Sequence, residues 1–164
     1  MDITNEWAQT TGIAGIAKER REYIINGVSY IVDGKHVVLA PTKQEEHIAK
    51  ILAEKYGKQV EFVPRIMYPQ GIQTPDYMID GERFDLKTLS GQGKNLLYGA
   101  IAKKRRQSHN FIIDSTRCPL RLEEIERQIE ALFKSQRTGF LEKLVLMKND
   151  EIVKVYARNK KNRP

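Results

Sequence analysis

The stretch Thr74-Pro75-Asp76-Tyr77-Met78-Ile79-Asp80-Gly81-Glu82-Arg83-Phe84-Asp85-Leu86-Lys87 sets two carboxylates and an ammonium where a tight hairpin can gather them. Asp80-Gly81 is a two-residue turn dipeptide, and folding back there brings Asp76 alongside Asp85. Strand side chains alternate, so Asp85 and Lys87 share one face while Phe84 and Leu86 take the other. Paired carboxylates are hard oxygen ligands of the kind that select Mg²⁺ or Mn²⁺, and the adjoining lysine supplies a proton or a compensating charge. A cation held there would acidify a bound water and stabilise negative charge on a reacting group. The plain reading of the same residues is a turn cap at Asp76 and solvated strand positions at Asp85 and Lys87.

The surrounding pattern supplies the elements that must hold these residues. A weak helix is expected around Glu6–Ala17, interrupted by Gly12 and Gly15. Glu22–Leu39 reads as strands turning at Asn26-Gly27 and Asp33-Gly34. Thr42 is an N-cap with Glu45 as its capping-box partner, and the helix runs to Gly57 with Ile48, Ile51 and Leu52 on its inner face. Gln59–Val63 is a strand stopped by Pro64. Beyond the hairpin, a loop Ser90–Asn95 leads into a helix from Asn95 to about Ser108, and Asn110–Asp114 is a buried strand. Leu122–Ser135 is amphipathic through Leu122, Ile125, Ile129 and Leu132, and a last hairpin turns at Asn149-Asp150. The order predicts an α/β or α+β mixed sheet, with residues 1–40 as a helix and β-hairpin extension and 41–164 as the main domain.

On Pro75-Asp76 followed by Asp85-Leu86-Lys87, the chain resembles the PD-(D/E)XK nuclease superfamily. Over roughly Pro41 to Ala157 it resembles more particularly the C-terminal toxin domains of contact-dependent growth inhibition systems, some of which cleave transfer RNA. The resemblance implies a restriction-endonuclease-like core and a metal-dependent endonuclease, with tRNA favoured over DNA. It implies that Asp76, Asp85 and the Leu86 carbonyl hold Mg²⁺ or Mn²⁺, and that Lys87 positions the water or offsets charge. A helix glutamate often completes such a site. Glu45 matches that role, with Glu46 the rival; Glu45 lies about 60° from Ile48 on the helical wheel, whereas Glu46 is on the far side. A toxin also implies an acidic immunity protein, and action in the cytoplasm of a cell into which it is delivered.

Charge agrees with a polyanionic partner. The chain carries 28 Lys+Arg against 21 Asp+Glu, a net +7. The excess lies late: residues 100–164 hold 16 basic and 8 acidic side chains, and the first 99 residues hold 12 and 13. Lys103-Lys104-Arg105-Arg106, spanning just over one expected helical turn, and Lys94 in the preceding loop are candidate phosphate-backbone contacts, set against an ordinary solvated face. The single cysteine, Cys118, excludes an internal disulfide framework and a Cys-cluster zinc site. No apolar run approaches the ~18 residues that span a bilayer, and MDITNEWAQT has neither the basic flank nor the apolar core of a signal peptide. His36, His47 and His109 are scattered without metal-ligand spacing. Two other functions compete: a metal-independent RNase using His109 as general acid or base, and a non-catalytic nucleic-acid-binding module.

Overall fold

The computed structural model describes residues 1–8 and 13–159. In chain order the elements are α1 (Thr4–Ala8), β1 (Ala17–Glu19), β2 (Glu22–Ile25), β3 (Val28–Ile31), β4 (Val37–Val38), α2 (Lys43–Tyr56), β5 (Val60–Phe62), β6 (Arg65–Ile66), β7 (Tyr77–Ile79) and β8 (Glu82–Thr88). They continue with α3 (Leu96–Ile101), β9 (Asn110–Asp114), α4 (Leu122–Lys134), a 3₁₀ turn at Gln136–Thr138, β10 (Lys143–Lys148) and β11 (Glu151–Ala157). The architecture is mixed α+β, as the order of elements implies. It forms two compact units, one of residues 9–85 and one of residues 1–8 with 86–164. Strand order is β1-β5-β7-β8 in the former and β8-β9-β10-β11 in the latter, because the division falls within β8.

In the 9–85 unit, local chemistry sets the best-defined elements. Thr42 Oγ1 accepts the Glu45 N–H at 3.1 Å and starts α2, and Gly57 at φ 69° ends it with its N–H on the Ala53 carbonyl. Ile48, Ala49, Leu52 and Ala53 form the buried stripe of α2, and β5 and β7 bury Val60, Phe62, Tyr77 and Ile79. The β7–β8 turn has Asp80 and Gly81 at φ 48° and 83°, and the β2–β3 turn has Asn26 and Gly27 at 50° and 77°. Both are the twisted two-residue turns that such dipeptides favour.

The N-terminal part departs from expectation. α1 is only five residues long, and the segment expected to continue it ends in β1, which pairs in parallel with β5 through Ala17↔Val60 and Glu19↔Phe62; Gly12 lies outside the described residues. Gly15 is not a helix interruption. Its N–H donates to the Ala53 carbonyl at 2.7 Å, and a Cβ there would sit 1.9 Å from the Lys58 carbonyl oxygen, so only glycine allows this approach. Asp33-Gly34 does not close a hairpin either. The Asp33 carboxylate accepts the N–H groups of Lys35, His36 and Val37 at 2.8, 2.7 and 3.0 Å, and β4 pairs with β6 rather than β3. Those bonds, led by Val37, hold the Asp33 carboxyl well below the usual carboxylate range. Residues 17–38 are thus sewn into the 9–85 unit through β5 and β6.

In the second unit β9 is buried throughout and pairs in parallel with β10, which forms an antiparallel hairpin with β11. Ile125, Ile129 and Leu132 of α4 join Phe111, Ile113, Leu144 and Leu146 in one core cluster. α1 is clasped to β11: Met1 N donates to Ala157 O at 2.9 Å, Ile3 N to Val155 O at 2.9 Å, and Val155 N to Thr4 Oγ1 at 3.0 Å. α3 stops at Ile101, short of the expected Ser108. Four adjacent cations follow it, and Ser108 Oγ bonds both the N–H and the carbonyl of Asn110, turning the chain into β9. Among the described residues no helix is long and apolar enough to cross a membrane.

Arg158 closes this unit from within. It is buried, donates to the carbonyls of Leu141 (2.7 Å), Phe133 (3.0 Å) and Thr138 (3.2 Å), and lies 5.4 Å over the Phe133 ring. Arg158→Met is expected to destabilise by at least about 2 kcal/mol, since three buried carbonyls lose their donor. Arg158→Lys should recover little, because an ammonium cannot reproduce the planar fork. Urea unfolding of the three proteins checks this; a Lys variant as stable as wild type contradicts the fork argument.

Candidate active site

The hairpin register does what the turn dipeptide promises. Tyr77↔Phe84, Met78↔Arg83 and Ile79↔Glu82 are paired, and Asp76 and Asp85 are the residues that flank the end of this ladder. The backbone at Asp76 continues the neighbouring ladder, its carbonyl accepting the Val63 N–H at 3.1 Å. Cross-strand neighbours of this kind have Cβ atoms roughly 4.5–5.5 Å apart. The hairpin is pinned at both ends: Thr74 Oγ1 donates to Pro64 O at 3.0 Å, and Asp80 Oδ1 accepts the Gln59 N–H at 3.0 Å. Asp76 is half-buried and Asp85 only 1 % exposed, which removes the solvated-strand reading of Asp85. Burial of a carboxylate is costly and marks a position with a specific task.

Glu45 reaches the hairpin from α2. Tyr77 Oη donates to the Glu45 carbonyl at 2.6 Å, tying β7 to the first turn of the helix. Burial pushes the Tyr77 phenol well above its ordinary range, and the carboxylates of Glu45, Asp76 and Asp85 push it in the same direction. The Glu45 side chain is 12 % exposed and pairs with Arg65 at 3.1 Å, whereas Glu46 is exposed. Among the described residues no three His, Cys, Asp or Glu side chains stand close enough to hold a metal ion as a ready cage. The pleat gives a reason: Asp85 leaves β8 on the face opposite Phe84 and its partner Tyr77, while Glu45 lies against the Tyr77 hydroxyl. The donors that remain side by side, Asp76 and Asp85, suit a hard cation that takes one or two carboxylates and completes its shell with water and phosphate.

The other expected site residues belong to the second unit. Lys87 follows Asp85 by two residues in β8 and is half-buried, as is Leu86. Lys94 is exposed and borders a recess of about 150 Å³ with Tyr98, Arg127 and Gln128. The loop before α3 is held rather than loose. Buried Gln128 accepts the Leu97 N–H at 3.1 Å and donates to Gly93 O at 3.0 Å, so this helix end already has a partner. Arg127 is bidentate to Glu124 at 2.8 and 2.6 Å and holds that carboxyl down at about 2. Lys103, Arg105 and Arg106 are exposed and Lys104 half-buried, in turns rather than on a helix. His109 is exposed, its ring 6.0 Å from Phe140, and Asp114 caps a turn by accepting from Thr116 N and Oγ1. Sequence reasoning passed over Arg65, Tyr77 and Gln128. The two-residue strand carrying Arg65 has no periodic signal, and a glutamine on an apolar helix face was the one sign of the Gln128 clamp.

Comparison with known proteins adds to this geometry. Residues 73–152 match the family model of the contact-dependent growth inhibition CdiA C-terminal domain, a span that includes Asp76, Asp85, Lys87, Lys94 and the basic run but not Glu45. The fold is similar to that of a chain in the CdiA-CT/CdiI toxin and immunity complex from Burkholderia pseudomallei, with a TM-score of 0.56 and 20% identity over 86% of this chain and 98% of that one. No curated protein matches the chain at a significant level.

Tyr77→Phe deletes the hydroxyl that joins the hairpin to α2 without opening a large cavity. A stability loss of about 1 kcal/mol is expected in urea unfolding, the usual net worth of one buried hydrogen bond. No change would mean that packing alone holds Glu45 beside the hairpin.

Proposed function

We propose that the chain is a toxin-type nuclease that hydrolyses phosphodiester bonds in nucleic acid, with tRNA favoured over DNA. The observation that carries this reading is the hairpin that presents Asp76 and buried Asp85 on adjoining strands, with Glu45 tied to Tyr77 of the same hairpin from the capped end of α2. In this reading Pro75-Asp76 and Asp85-Leu86-Lys87 are the signature of a PD-(D/E)XK nuclease. The match of residues 73–152 to CdiA C-terminal domains supports the toxin class, and the immunity protein named with the similar structure supports an acidic protein partner for this basic chain.

Each residue then has a task. Asp76 and Asp85 would hold Mg²⁺ or Mn²⁺, which when bound supplies an acidified water and Lewis acidity at the phosphate. Lys87 offsets negative charge developing on the phosphate oxygens. Arg65 fixes the Glu45 carboxylate. Lys94 and Lys103–Arg106 neutralise backbone phosphates and read no sequence.

Purified chain incubated with total tRNA and with plasmid DNA, with Mg²⁺ or with EDTA, tests the proposal. Cleavage of tRNA in Mg²⁺ and none in EDTA is expected; cleavage that survives EDTA would turn the reading to His109. Asp85→Asn, which keeps the buried shape, and Lys87→Ala should each lower the cleavage rate by about 10²–10³-fold, the typical loss of one preorganised group. Wild-type rates in both variants would remove this site. Replacing Lys103, Lys104, Arg105 and Arg106 with Ala should flatten the salt dependence of binding, by up to about 3 in the log–log slope on single strands. An unchanged slope would make the run an ordinary solvated face.

A further inference from the structure

Beside the carboxylates, the 9–85 unit presents an aromatic surface that the cleavage chemistry does not use. Tyr68 is 67% exposed and its neighbour Met67 58% exposed, an unusual display for large apolar side chains that follow a strand. Their backbone is nevertheless fixed. The N–H groups of Met67 and Tyr68 both donate to the His36 carbonyl, at 2.7 and 3.2 Å, next to the β4–β6 pairs Val37↔Ile66 and Val38↔Arg65. The His36 ring lies 5.6 Å from the Tyr68 ring, tilted by 56°, and its Nδ1 is 3.0 Å from Asp33 Oδ2. Asp33 is itself locked by the backbone N–H groups of residues 35–37. The tyrosine is thus backed by an oriented ring and stands open to solvent, and ordering it on binding costs little.

We infer that Tyr68, backed by His36, is a stacking platform for an unpaired nucleobase of a single-stranded or loop segment. A base within a duplex has both faces covered by its neighbours, so a flat exposed ring recruits bases that are out of the stack. Cations for the adjoining phosphates are at hand in exposed Lys35 and in Arg65. Arg65 precedes Tyr68 by three residues, so their Cα atoms are at most about 10 Å apart along an extended chain. Because Arg65 touches Glu45, a base on Tyr68 belongs to the strand segment that meets the carboxylates. This rests on the nuclease reading for its purpose and narrows the substrate to unpaired regions, such as the loops of a folded RNA.

The test uses the whole chain and a short oligonucleotide carrying one 2-aminopurine, as single-stranded RNA, single-stranded DNA and duplex, with EDTA present so that binding is read without cleavage. The chain should quench the single-stranded probes far more than the duplex. Tyr68→Ala should bind them about 5- to 140-fold more weakly, which corresponds to ~1–3 kcal/mol per stacked base at 1.4 kcal/mol per tenfold. Tyr68→Trp should retain affinity and Tyr68→Leu should not, which separates stacking from simple apolar cover; thermal melts verify folding of each variant. In cleavage assays Tyr68→Ala should raise KM on tRNA and leave kcat nearly unchanged. Equal binding by wild type and Tyr68→Ala, or equal quenching of duplex and single strand, overturns the platform even where wild type cleaves. Stacking without cleavage by wild type upholds the platform and removes the nuclease reading instead.

Discussion

The hydrogen bond from Tyr77 Oη to the Glu45 carbonyl is the contact on which the candidate site depends. It joins two elements far apart in sequence, and it does so at the first turn of α2, which carries Glu45 and Glu46. A phenol is well suited to the position. Its ring fills core beside Phe62, 5.9 Å away, while its hydroxyl remains a neutral donor among three carboxylates. A cationic donor there would pair with the acids. The neutral donor fixes the helix and leaves the negative charge uncompensated by itself.

Around that contact, the hairpin and helix carry different kinds of constraint. Asp85 is held by its place in a paired strand and by burial, so its position is set by backbone. Glu45 is held through a side-chain pair with Arg65, which is half exposed, so its position can respond to an arriving ligand. Hard divalent cations tolerate this division, since they need few fixed carboxylates and take the rest of their shell from water and substrate.

What could be read in the sequence was local. The Asp80-Gly81 and Asn26-Gly27 turns, the Thr42 cap, the Gly57 stop and the amphipathic α4 each depend on a few adjacent residues, and each is found in the fold. The β7–β8 hairpin that carries Asp85 followed from one turn and the strand period. What could not be read was set by partners distant in sequence. Gly15 looked like a helix breaker because its reason for being glycine, the Lys58 carbonyl, lies more than forty residues away. The two-residue strands β4 and β6 have no pattern of their own and exist because they pair with each other. α3 was overextended because charge repulsion and the Ser108 bonds ended it where helix propensity did not. Arg65 was invisible for the same reason: its place beside Glu45 comes with the β4–β6 pairing.

The clasp between residues 1–4 and β11 bears on the order of folding. The bonds from Met1 and Ile3 to Ala157 and Val155 close a ring of more than 150 residues, with the whole 9–85 unit inside it. Ring closure of that size loses several kcal/mol of chain entropy if made first, but its cost rises only logarithmically with length and falls once the intervening chain is compact. The β9–β11 ladder needs no closure of that size, since β9 and β10 are joined through α4 and β10 and β11 by the turn at Asn149-Asp150. Without residues 1–4 in place, the outer edge of β11 would present unpaired backbone groups to other strands.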